Sequence, residues 1–526
     1  MKKSYAPTVL AVILILLLAF SGCSSTGGGS ASPTASGQAT NAPAADTPRT
    51  NLNIRLYADP TSMDPQMITS SYDAIMAIQV YDCLFEAPDG NFENLQPSLC
   101  ETYEVNDTAT EYVFHIRKNV PFQNGDIMTA EDVAFTLNRL VTSPVTSVTY
   151  GGIAGAEVID DATVKVTCNY PVFRLPSMLA MYPAGIVNKS LVEKYGDNAI
   201  EAIIGTGAYR FVEWVPGSKV VMKAFNEGWR GAPKIQDVNF VIILDNNAAR
   251  MAFQNEELDD FYPTTRADVE LLKDDARFVS QPYTVAVEDH LVYNTVRPWC
   301  DNIKFRQAVA HAIDREALTD ICSDGIWSVA ESIIPPGNIA YRDGLKFPYE
   351  YNPEKAKQLL SECGYDGTEI GLLYTSSYPV SNTWGTTVEG YLRAVGINVK
   401  MEGADYANVV ERVVGRDYDM CLFEYSVSYN DPLSSYYALY RSDGFYNVWQ
   451  VSSEEMDNLI ISMYGMNDAQ LSEAMQGIDA WAQEQCIYVP CYQQGGYWFR
   501  PAKLAVNTTP EPMFGHVRLC YANWGS

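Results

Sequence analysis

We expect the first 50 residues to build no hydrophobic core, and their sequence indicates where the rest of the chain folds. Lys2 and Lys3 precede an unbroken run of twelve apolar residues from Val9 to Phe20, after which small residues lead to Cys23. Such a run is too short to cross a membrane as a helix, which needs roughly 20 residues. Positive, apolar and small residues in this order are typical of a secretory signal. We therefore expect the following chain to fold outside the cytoplasm.

The ending AFSGC (19–23) resembles the lipobox of bacterial lipoproteins, in which the cysteine thiol takes up a diacylglyceryl group and becomes the mature N-terminus. Phe20 stands where that pattern usually has Leu. The resemblance implies a signal peptide over 1–22 and a lipid anchor at Cys23 that holds the protein at the cell membrane. Residues 23–50 are rich in Ser, Gly, Thr, Ala and Pro, which predicts a flexible tether.

The remaining residues are enough for two or three lobes with substantial cores. The net charge of −28 argues against nucleic acid or an anionic membrane surface as a partner, because both attract Lys and Arg. Ten cysteines follow Cys23 at irregular spacings, and the closest plausible pairs are Cys486 with Cys491 and Cys83 with Cys100. Disulfides and buried thiols both remain open.

The sequence carries no recognisable catalytic motif. Its four histidines, at 115, 290, 311 and 516, lie in no metal-binding pattern, and neither a G-x-S-x-G elbow nor a phosphate loop occurs. GTGAYR (205–210) begins like a dinucleotide fingerprint, but Arg210 stands where the third Gly is required. We therefore expect a protein that is not an enzyme and has no cofactor or metal. A secreted glycoside hydrolase is the alternative, since its two carboxylates can lie at any separation in sequence.

Helical and strand patterns alternate along the chain. In 351–365, Asn352 can cap a helix that Pro353 opens and Gly364 ends. Thr129 and Asp132 form a capping-box pattern ahead of a helix over 129–140. A further helical stripe covers 301–316, and alternating segments at 162–170 and 237–244 predict strands. The predicted class is α/β or α+β with mixed sheets.

Nine segments in a fixed order cover nearly the whole mature chain: SMDPQ (62–66), FHIRKNVPFQNGDIMTAEDVAFTLNR (114–139), GTGAYRFVEW (205–214), FRQAVAHAIDRE (305–316), IIPPGN (333–338), YNPEKAKQLLSECGY (351–365), YLRAVGINV (391–399), YNDP (429–432) and YVPCY (488–492). In this order they resemble the extracellular solute-binding proteins of the dipeptide, oligopeptide and nickel type (family 5) that serve ABC importers.

The resemblance implies a two-lobed periplasmic-binding-protein-like clamp with an extra subdomain. Lobe I would combine 51–88, 190–288 and 498–526, the subdomain would be 89–189, and lobe II would be 289–497. A monomer would hold its ligand unchanged in the cleft and deliver it to the permease subunits of an ABC importer. Gly495 and Gly496 fall near one of the two chain crossings, where a hinge is expected.

In peptide-binding members of this family the segment that is EYSVSYNDP (424–432) here pairs with the ligand backbone. An Asp four residues ahead of its Pro neutralises the ligand ammonium, and this chain has Ser428 there. Glu424 or Asp431 is then expected to supply the carboxylate. The resemblance implies these ligand-binding residues: Glu424, Tyr425, Ser426, Ser428, Asp431, Tyr262, Thr264, Trp384, Thr69 and Ser71, with Pro263, Tyr436 and Tyr437 as further cleft candidates.

The ligand class stays open at this point. A short peptide is the first expectation, and an oligosaccharide or a metal chelate are the alternatives. The chain has 34 Tyr against 19 Phe, and a tyrosine offers an apolar face with a polar tip that suits a sugar ring or an apolar side chain equally. The shortage of histidine argues mildly against direct metal ligation.

Overall fold

The structure is a computed structural model that describes residues 49–68, 70–88, 94–425, 432–444, 446–506 and 517–525. Within these ranges the side chains at 71, 72, 148, 286, 287, 407 and 434 are not described. All described residues belong to one compact unit, Pro48–Ser526. Every helix in those ranges is too short or too polar to cross a membrane.

The strands are β1 (Asn51–Leu56), β2 (Phe85–Glu86), β3 (Gln96–Pro97), β4 (Cys100–Val105), β5 (Glu111–Ile116), β6 (Ile153–Asp160), β7 (Thr163–Cys168), β8 (Tyr209–Val215), β9 (Lys219–Ala224), β10 (Asp237–Ile242), β11 (Phe278–Tyr293), β12 (Ser328–Val329), β13 (Ile370–Thr375), β14 (Val399–Ala404), β15 (Met420–Tyr425), β16 (Tyr488–Pro501), β17 (Leu504–Ala505) and β18 (Asn523–Trp524).

The helices are α1 (Ser71–Val80), α2 (Ala130–Thr142), α3 (Ser147–Tyr150), α4 (Leu175–Met178), α5 (Lys189–Tyr195), α6 (Asn246–Gln254), α7 (Arg266–Leu272), α8 (Ile303–Ala312), α9 (Arg315–Ser323), α10 (Pro353–Cys363), α11 (Pro379–Ala394), α12 (Tyr406–Val414), α13 (Pro432–Tyr440), α14 (Glu454–Met463) and α15 (Asp468–Glu484). Short 3₁₀ helices lie at Tyr182–Ala184, Ile200–Ala202 and Leu519–Tyr521.

Three larger sheets organise the described chain. The first has the order β1-β10-β9-β8 and is parallel only between β1 and β10. The second, β4-β5-β7-β6, is antiparallel throughout. The third, β12-β16-β11-β15-β13-β14, is mixed, with parallel pairs where β13 meets β14 and β15. The predicted mixed α/β class is confirmed.

Each sheet covers its own hydrophobic core. Leu52 and Phe240 belong to the core of the first sheet, and Phe114 and Val164 to that of the second. The six-stranded sheet has a core on both faces, because successive side chains of a strand point to opposite sides. On β11, Leu291 packs into one of these cores and its neighbour Val292 into the other.

The local sequence signals for helices are confirmed at α10 and α2. The Asn352 side chain accepts from the backbone N–H of Lys355, and Gly364 ends α10 in the left-handed conformation at φ 74°. At the start of α2, Asp132 accepts the backbone N–H of Thr129 at 2.9 Å. The stripe over 301–316 is divided between α8 and α9, because Asp314 is extended and its carboxylate caps α9 by accepting from Ala317.

Two long strands of the six-stranded sheet, β11 and β16, extend from the segment around Phe261 into the middle of that sheet, and we call them the crossing strands. They pair antiparallel from Phe278 opposite Pro501 to Val292 opposite Tyr488, with an irregularity between Thr284 and Glu288. Gly495 lies opposite Thr284 within this ladder, so it belongs to a paired strand and not to a turn. A Cβ at Gly495 would come within 2.6 Å of the Tyr283 carbonyl oxygen, which explains why only glycine fits there.

The ten cysteines of the described chain are free thiols. Cys83 Sγ donates to the Met181 carbonyl at 3.1 Å and Cys100 Sγ to that of Thr102 at 3.1 Å, so these two cysteines are not joined. Burial raises the pKa of the Cys486 thiol to about 12. Thiols of this kind are unreactive, because the thiolate is the nucleophilic form.

Candidate functional site

A cavity of about 440 Å³ lies beside the crossing strands, and we call it the cleft. Its volume is within the range of roughly 300–1,000 Å³ that is typical of small-molecule sites. The residues that line it form three groups. The first belongs to the region of β1, α1 and the segment after Phe261, the second to the crossing strands, and the third to α9, the loop after it and α11. In this order the groups are Arg55, Tyr57, Ile75, Tyr262, Pro263 and Thr264; Tyr283, Val285, Gln494 and Gly495; and Cys322, Ser323, Ile326, Trp327 and Val380.

Tyrosines form the wall of the cleft on the side of the first sheet. The backbones of Phe261 and Phe499 exchange two hydrogen bonds of 2.9 and 2.8 Å, which ties the segment that carries Tyr262 to β16. The Tyr262 ring meets Tyr283 edge to face, with centroids 5.5 Å apart. Burial raises the pKa of Tyr262 well above its usual range, so its hydroxyl stays protonated.

Two carboxylates lie side by side on neighbouring strands, next to the cleft-lining residue Gln494. Asp289 of β11 is directly opposite Glu424 of β15, and residues opposite each other share one face of a sheet. Asp289 is 1% exposed and accepts a hydrogen bond from Nε2 of Gln494 at 2.9 Å. Among the described residues no Lys or Arg nitrogen lies within 4.0 Å of either carboxylate.

Burial raises the pKa of Asp289 well above its usual range, and the negative charge of Glu424 raises it further. Burial also raises the pKa of Glu424. Both shifts have the same physical origin, because two carboxylates in a poorly solvated place cannot both ionise without a cation. The pair is therefore suited to receive a positively charged group.

The opposite face of β11 carries a separate buried network. Glu288 is buried there, and burial together with the charges of Asp479 and Asp289 raises its pKa well above the usual range. Asp479 accepts from the Tyr488 hydroxyl at 2.5 Å and from Nε2 of Gln483 at 3.1 Å. This network lies in the core behind the sheet and lines no part of the cleft.

The structure places Tyr262, Pro263 and Thr264 in the wall of this cavity. Nδ2 of Asn246 donates to Oγ1 of Thr264 at 2.6 Å. Glu424 ends β15 together with Tyr425, whose ring lies 6.0 Å from that of Tyr446. Four further expected site residues lie outside the described residues, as does the expected lipidation site: Thr69, Ser426, Ser428, Asp431 and Cys23. Ser71 is the first residue of α1.

Trp384 and Tyr436 lie away from the cleft, which corrects our expectation for them. Trp384 is 1% exposed, and its ring packs 5.2 Å from that of Tyr492 inside the core. It faces inward because α11 turns its apolar side onto the sheet. Tyr436 is fully buried and donates to the Met475 carbonyl at 3.3 Å. Tyr437 packs against Tyr464.

Among the residues that the sequence analysis missed, Arg55 and Trp327 line the cleft, and Asp289 accepts a hydrogen bond from the lining residue Gln494. A signal for Asp289 was present, because Glu288 and Asp289 interrupt an otherwise apolar strand of the VAVEDHLVY pattern. Arg55 gave a similar signal as the one charged residue inside the strand NLNIRL. Charged residues within buried strands are costly and therefore deserve a functional explanation.

Comparison with known proteins decides the family. Residues 94–447 match the model of the bacterial extracellular solute-binding proteins, family 5. The chain belongs to this family. It is 28% identical over 363 residues to the glutathione-binding protein GsiB of Salmonella choleraesuis (strain SC-B67), covering 68% of this chain and 70% of the relative. The family supplies the solute-binding components of ABC importers, which confirms the function class predicted from the sequence.

Solved structures share the fold. DppA of Helicobacter pylori in complex with the peptide STSA superposes with a TM-score of 0.75 at 20% identity, covering 91% of this chain and 99% of that one. NikA of Brucella suis in complex with Fe(III)-EDTA superposes with a TM-score of 0.80 at 20% identity, covering 90% and 99%. The two-lobed periplasmic-binding-protein architecture predicted from the sequence is thereby confirmed.

Proposed function

We propose that this family 5 protein binds short peptides with a free N-terminal ammonium group and delivers them to its ABC importer. The observation that supports this ligand is the pair of Asp289 and Glu424 beside the cleft, with no cation near it among the described residues. A ligand ammonium would supply the missing positive charge. Relatives named for glutathione and a structural neighbour that holds the peptide STSA are in agreement with a peptide ligand.

The position of Glu424 also accounts for the missing Asp of the family pattern. Ser428 cannot neutralise an ammonium, and Glu424 is near the beginning of the same segment. Its partner Asp289 comes from the neighbouring strand, so a carboxylate pair would replace a single aspartate. Asp431 is the remaining alternative.

Calorimetric titration with trialanine and its N-acetylated form tests this proposal. The free peptide should bind and the acetylated one should bind roughly 10² to 10³ times more weakly, because removing one member of a buried ion pair costs about 3–5 kcal/mol. Glu424→Gln and Asp289→Asn should weaken the free peptide by a similar factor. Glu288→Gln is the matched control, since it removes a buried carboxylate from the same strand on the face away from the cleft.

Other outcomes would point to other ligands. Equal binding of both peptides, indifferent to the carboxylate variants, contradicts the ammonium site. Tight binding of a neutral oligosaccharide or of a metal chelate, with no binding of peptides, would replace the peptide assignment.

We also propose that the ligand leaves the protein chemically unchanged, because the family is one of transport components. Mass spectrometry of a peptide recovered after long incubation should show the intact mass. A cleaved product would favour the hydrolase alternative.

The clamp is proposed to consist of lobe I (51–88, 190–288 and 498–526), an inserted subdomain (89–189) and lobe II (289–497). The membership of the hydrophobic cores supports this division. The core that contains Leu52 draws on residues between 52 and 81, 187 and 240, and 504 and 522. The core that contains Phe114 draws on residues from 84 to 186.

A lipid anchor at Cys23 is proposed to hold the protein on the outer side of the cytoplasmic membrane. The support is the signal pattern that ends in AFSGC. Cys23→Ala should block acylation and release the protein from the detergent-extracted membrane fraction. A variant that still fractionates with the membrane as the unmodified protein does would contradict the anchor.

A further inference from the structure

Arg55 is a buried arginine that lines the cleft from the side of the first sheet. It lies on β1, opposite Val241 of β10, and is 1% exposed. Nε donates to the Ile243 carbonyl at 2.9 Å and Nη2 to the Leu244 carbonyl at 3.3 Å. The guanidinium carbon lies 4.0 Å from the centroid of the Tyr57 ring. These contacts fix the orientation of the guanidinium group.

The third nitrogen of this group has no protein partner in the described chain. Nη1 is shielded from water and makes no hydrogen bond to any described residue. No carboxylate of the described chain lies within 4.0 Å of the Arg55 guanidinium. Asp260 is near, but its Oδ1 accepts the backbone N–H of Arg55 at 2.8 Å. Burial raises the pKa of Asp260 to about 7, so at neutral pH only part of its charge is present.

Other buried arginines of the described chain show how unusual this arrangement is. Arg139 pairs with Asp64, with Nη1 and Oδ1 2.9 Å apart. Arg306 has no carboxylate but donates Nη1 to the Cys300 carbonyl at 2.8 Å and Nη2 to that of Gln485 at 2.8 Å. Both are structural and neither lines the cleft. Arg55 combines an unused buried donor with a place on the cavity wall.

We propose that Arg55 binds a carboxylate of the ligand, so that the cleft takes zwitterions of the peptide or amino-acid type and holds them at both charged ends. The inference rests on the proposed function only in assigning the ligand to this cleft. Arg55 comes from the first sheet, whereas Asp289 and Glu424 come from the six-stranded sheet. The two sites of opposite charge thus belong to different sheets.

The chemistry favours a carboxylate over other acceptors. A guanidinium group gives charge-assisted hydrogen bonds to a carboxylate that are roughly twice as strong as those between neutral groups. An ion pair formed at the buried Arg55 guanidinium is screened less by salt than one at the surface. The ring of Tyr57 adds a cation–π attraction to the Arg55 guanidinium group.

The test compares trialanine with its C-terminal amide on the unaltered protein, by calorimetric titration at pH 7. The amide should bind roughly 10² to 10³ times more weakly, because it leaves the buried guanidinium without its partner. In Arg55→Gln this preference for the acid should vanish. Arg55→Lys should keep part of it, since the charge remains but the planar fork is lost.

Arg49→Gln is the matched control for stability. Arg49 precedes the same strand and pairs with Asp259 at 2.7 Å, outside the cleft. This variant should keep the full preference for the acid. Melting curves establish whether each variant is folded, and if Arg55→Gln fails to fold, the acid and amide comparison on the unaltered protein still decides.

The outcomes separate this inference from the proposed function. If the amide binds as tightly as the acid, the Arg55 assignment is wrong. If N-acetyltrialanine binds as well as trialanine while the amide does not, the ammonium site fails and Arg55 stands. If neither trialanine nor glutathione binds and a neutral sugar does, the proposed peptide function and the Arg55 assignment are both wrong. If neither trialanine nor glutathione binds at all, the assignment of Arg55 as the carboxylate site is also contradicted.

Discussion

At the scale of single residues, the buried charges of this chain fall into two groups. Some are paired with groups of opposite charge, as Arg230 is with Asp82 and Glu86, its closest contact being 2.8 Å to Glu86. Those beside the cleft, Arg55, Asp289 and Glu424, have no partner of opposite charge within 4.0 Å among the described residues. Since burying an unpaired charge is costly, we propose that a ligand completes the second group.

Asp260 should make the stability of the protein depend on pH. Burial raises its pKa from 3.8 to about 7, while Arg55 and Asp259 act on it in opposite directions. The folded state therefore holds this proton more tightly than the unfolded state, and the contribution of Asp260 to stability falls as pH rises from about 4 to 7. Each unit of pKa shift corresponds to about 1.4 kcal/mol, so the loss amounts to a few kcal/mol.

Asp260→Asn should remove this pH dependence, because an amide keeps the acceptor for the Arg55 N–H without a titrating proton. Chemical denaturation at pH 5 and pH 8 measures the effect: the free energy of unfolding should fall less in the variant than in the unaltered protein. Asp275→Asn, at an exposed turn, is the control. An identical pH dependence in Asp260→Asn would refute the role of this carboxyl group.

At the scale of elements, the glycines of GTGAYR have a structural purpose. Gly205 and Gly207 lie against the backbone at the end of α1, where Gly207 donates its N–H to the Val80 carbonyl at 2.9 Å. Nε2 of Gln123 donates to the carbonyls of Val80 and Gly207 at 3.0 Å each. The two glycines therefore allow a strand and a helix end to meet closely, which explains a pattern that resembled a dinucleotide motif only in part.

Gly205→Ala should destabilise the protein by about 1–3 kcal/mol or more, because a Cβ there would lie 2.1 Å from the Val80 carbonyl oxygen. Gly390→Ala, within α11, should instead stabilise it by about 0.5–1 kcal/mol, since no atom lies within 4 Å of a Cβ at that position. Thermal melting of both variants provides the comparison. Similar melting temperatures for the two variants would show that the backbone at Val80 can move to make room for a Cβ at Gly205.

At the scale of the whole molecule, residues 170–174 contact the end of α14 and the beginning of α15. Tyr170 meets the Tyr464 ring at 4.8 Å between centroids, and Arg174 Nη1 lies 3.1 Å from Asp468 Oδ1. Apolar residues complete the contact around a small cavity of about 30 Å³. These residues lie far apart in sequence and none of them lines the cleft.

Tyr464→Ala combined with Asp468→Asn should weaken trialanine binding without touching the cleft. The aromatic pair contributes about 0.5–1.5 kcal/mol, and the ion pair less, because the Asp468 side chain is 62% exposed. We expect this contact to stabilise the closed, ligand-bound clamp. Its loss should therefore speed ligand dissociation roughly 3-fold to 30-fold. Stopped-flow displacement measures the rate. Lys189→Gln, which breaks an exposed ion pair with Glu131, should leave the dissociation rate unchanged.

The sequence by itself determined the features that depend on residues close together in the chain. The caps of α10 and α2 need only residues within four positions of each other, so Asn352, Gly364 and the Thr129–Asp132 pair identified these helix ends. The order of family-like segments likewise determined the class of protein and its two-lobed fold, because each segment is itself local.

Only the tertiary structure decided which side chains meet in the cleft. Arg55 and Asp289 are separated by 234 positions (289 − 55), and whether either has a partner depends on every strand packed around it. Trp384 illustrates the converse, since an aromatic residue on an amphipathic helix is equally compatible with a core and a cleft until the facing surface is known. Charge pairing and burial are properties of neighbours in space, and chain folding brings those neighbours together from distant parts of the sequence.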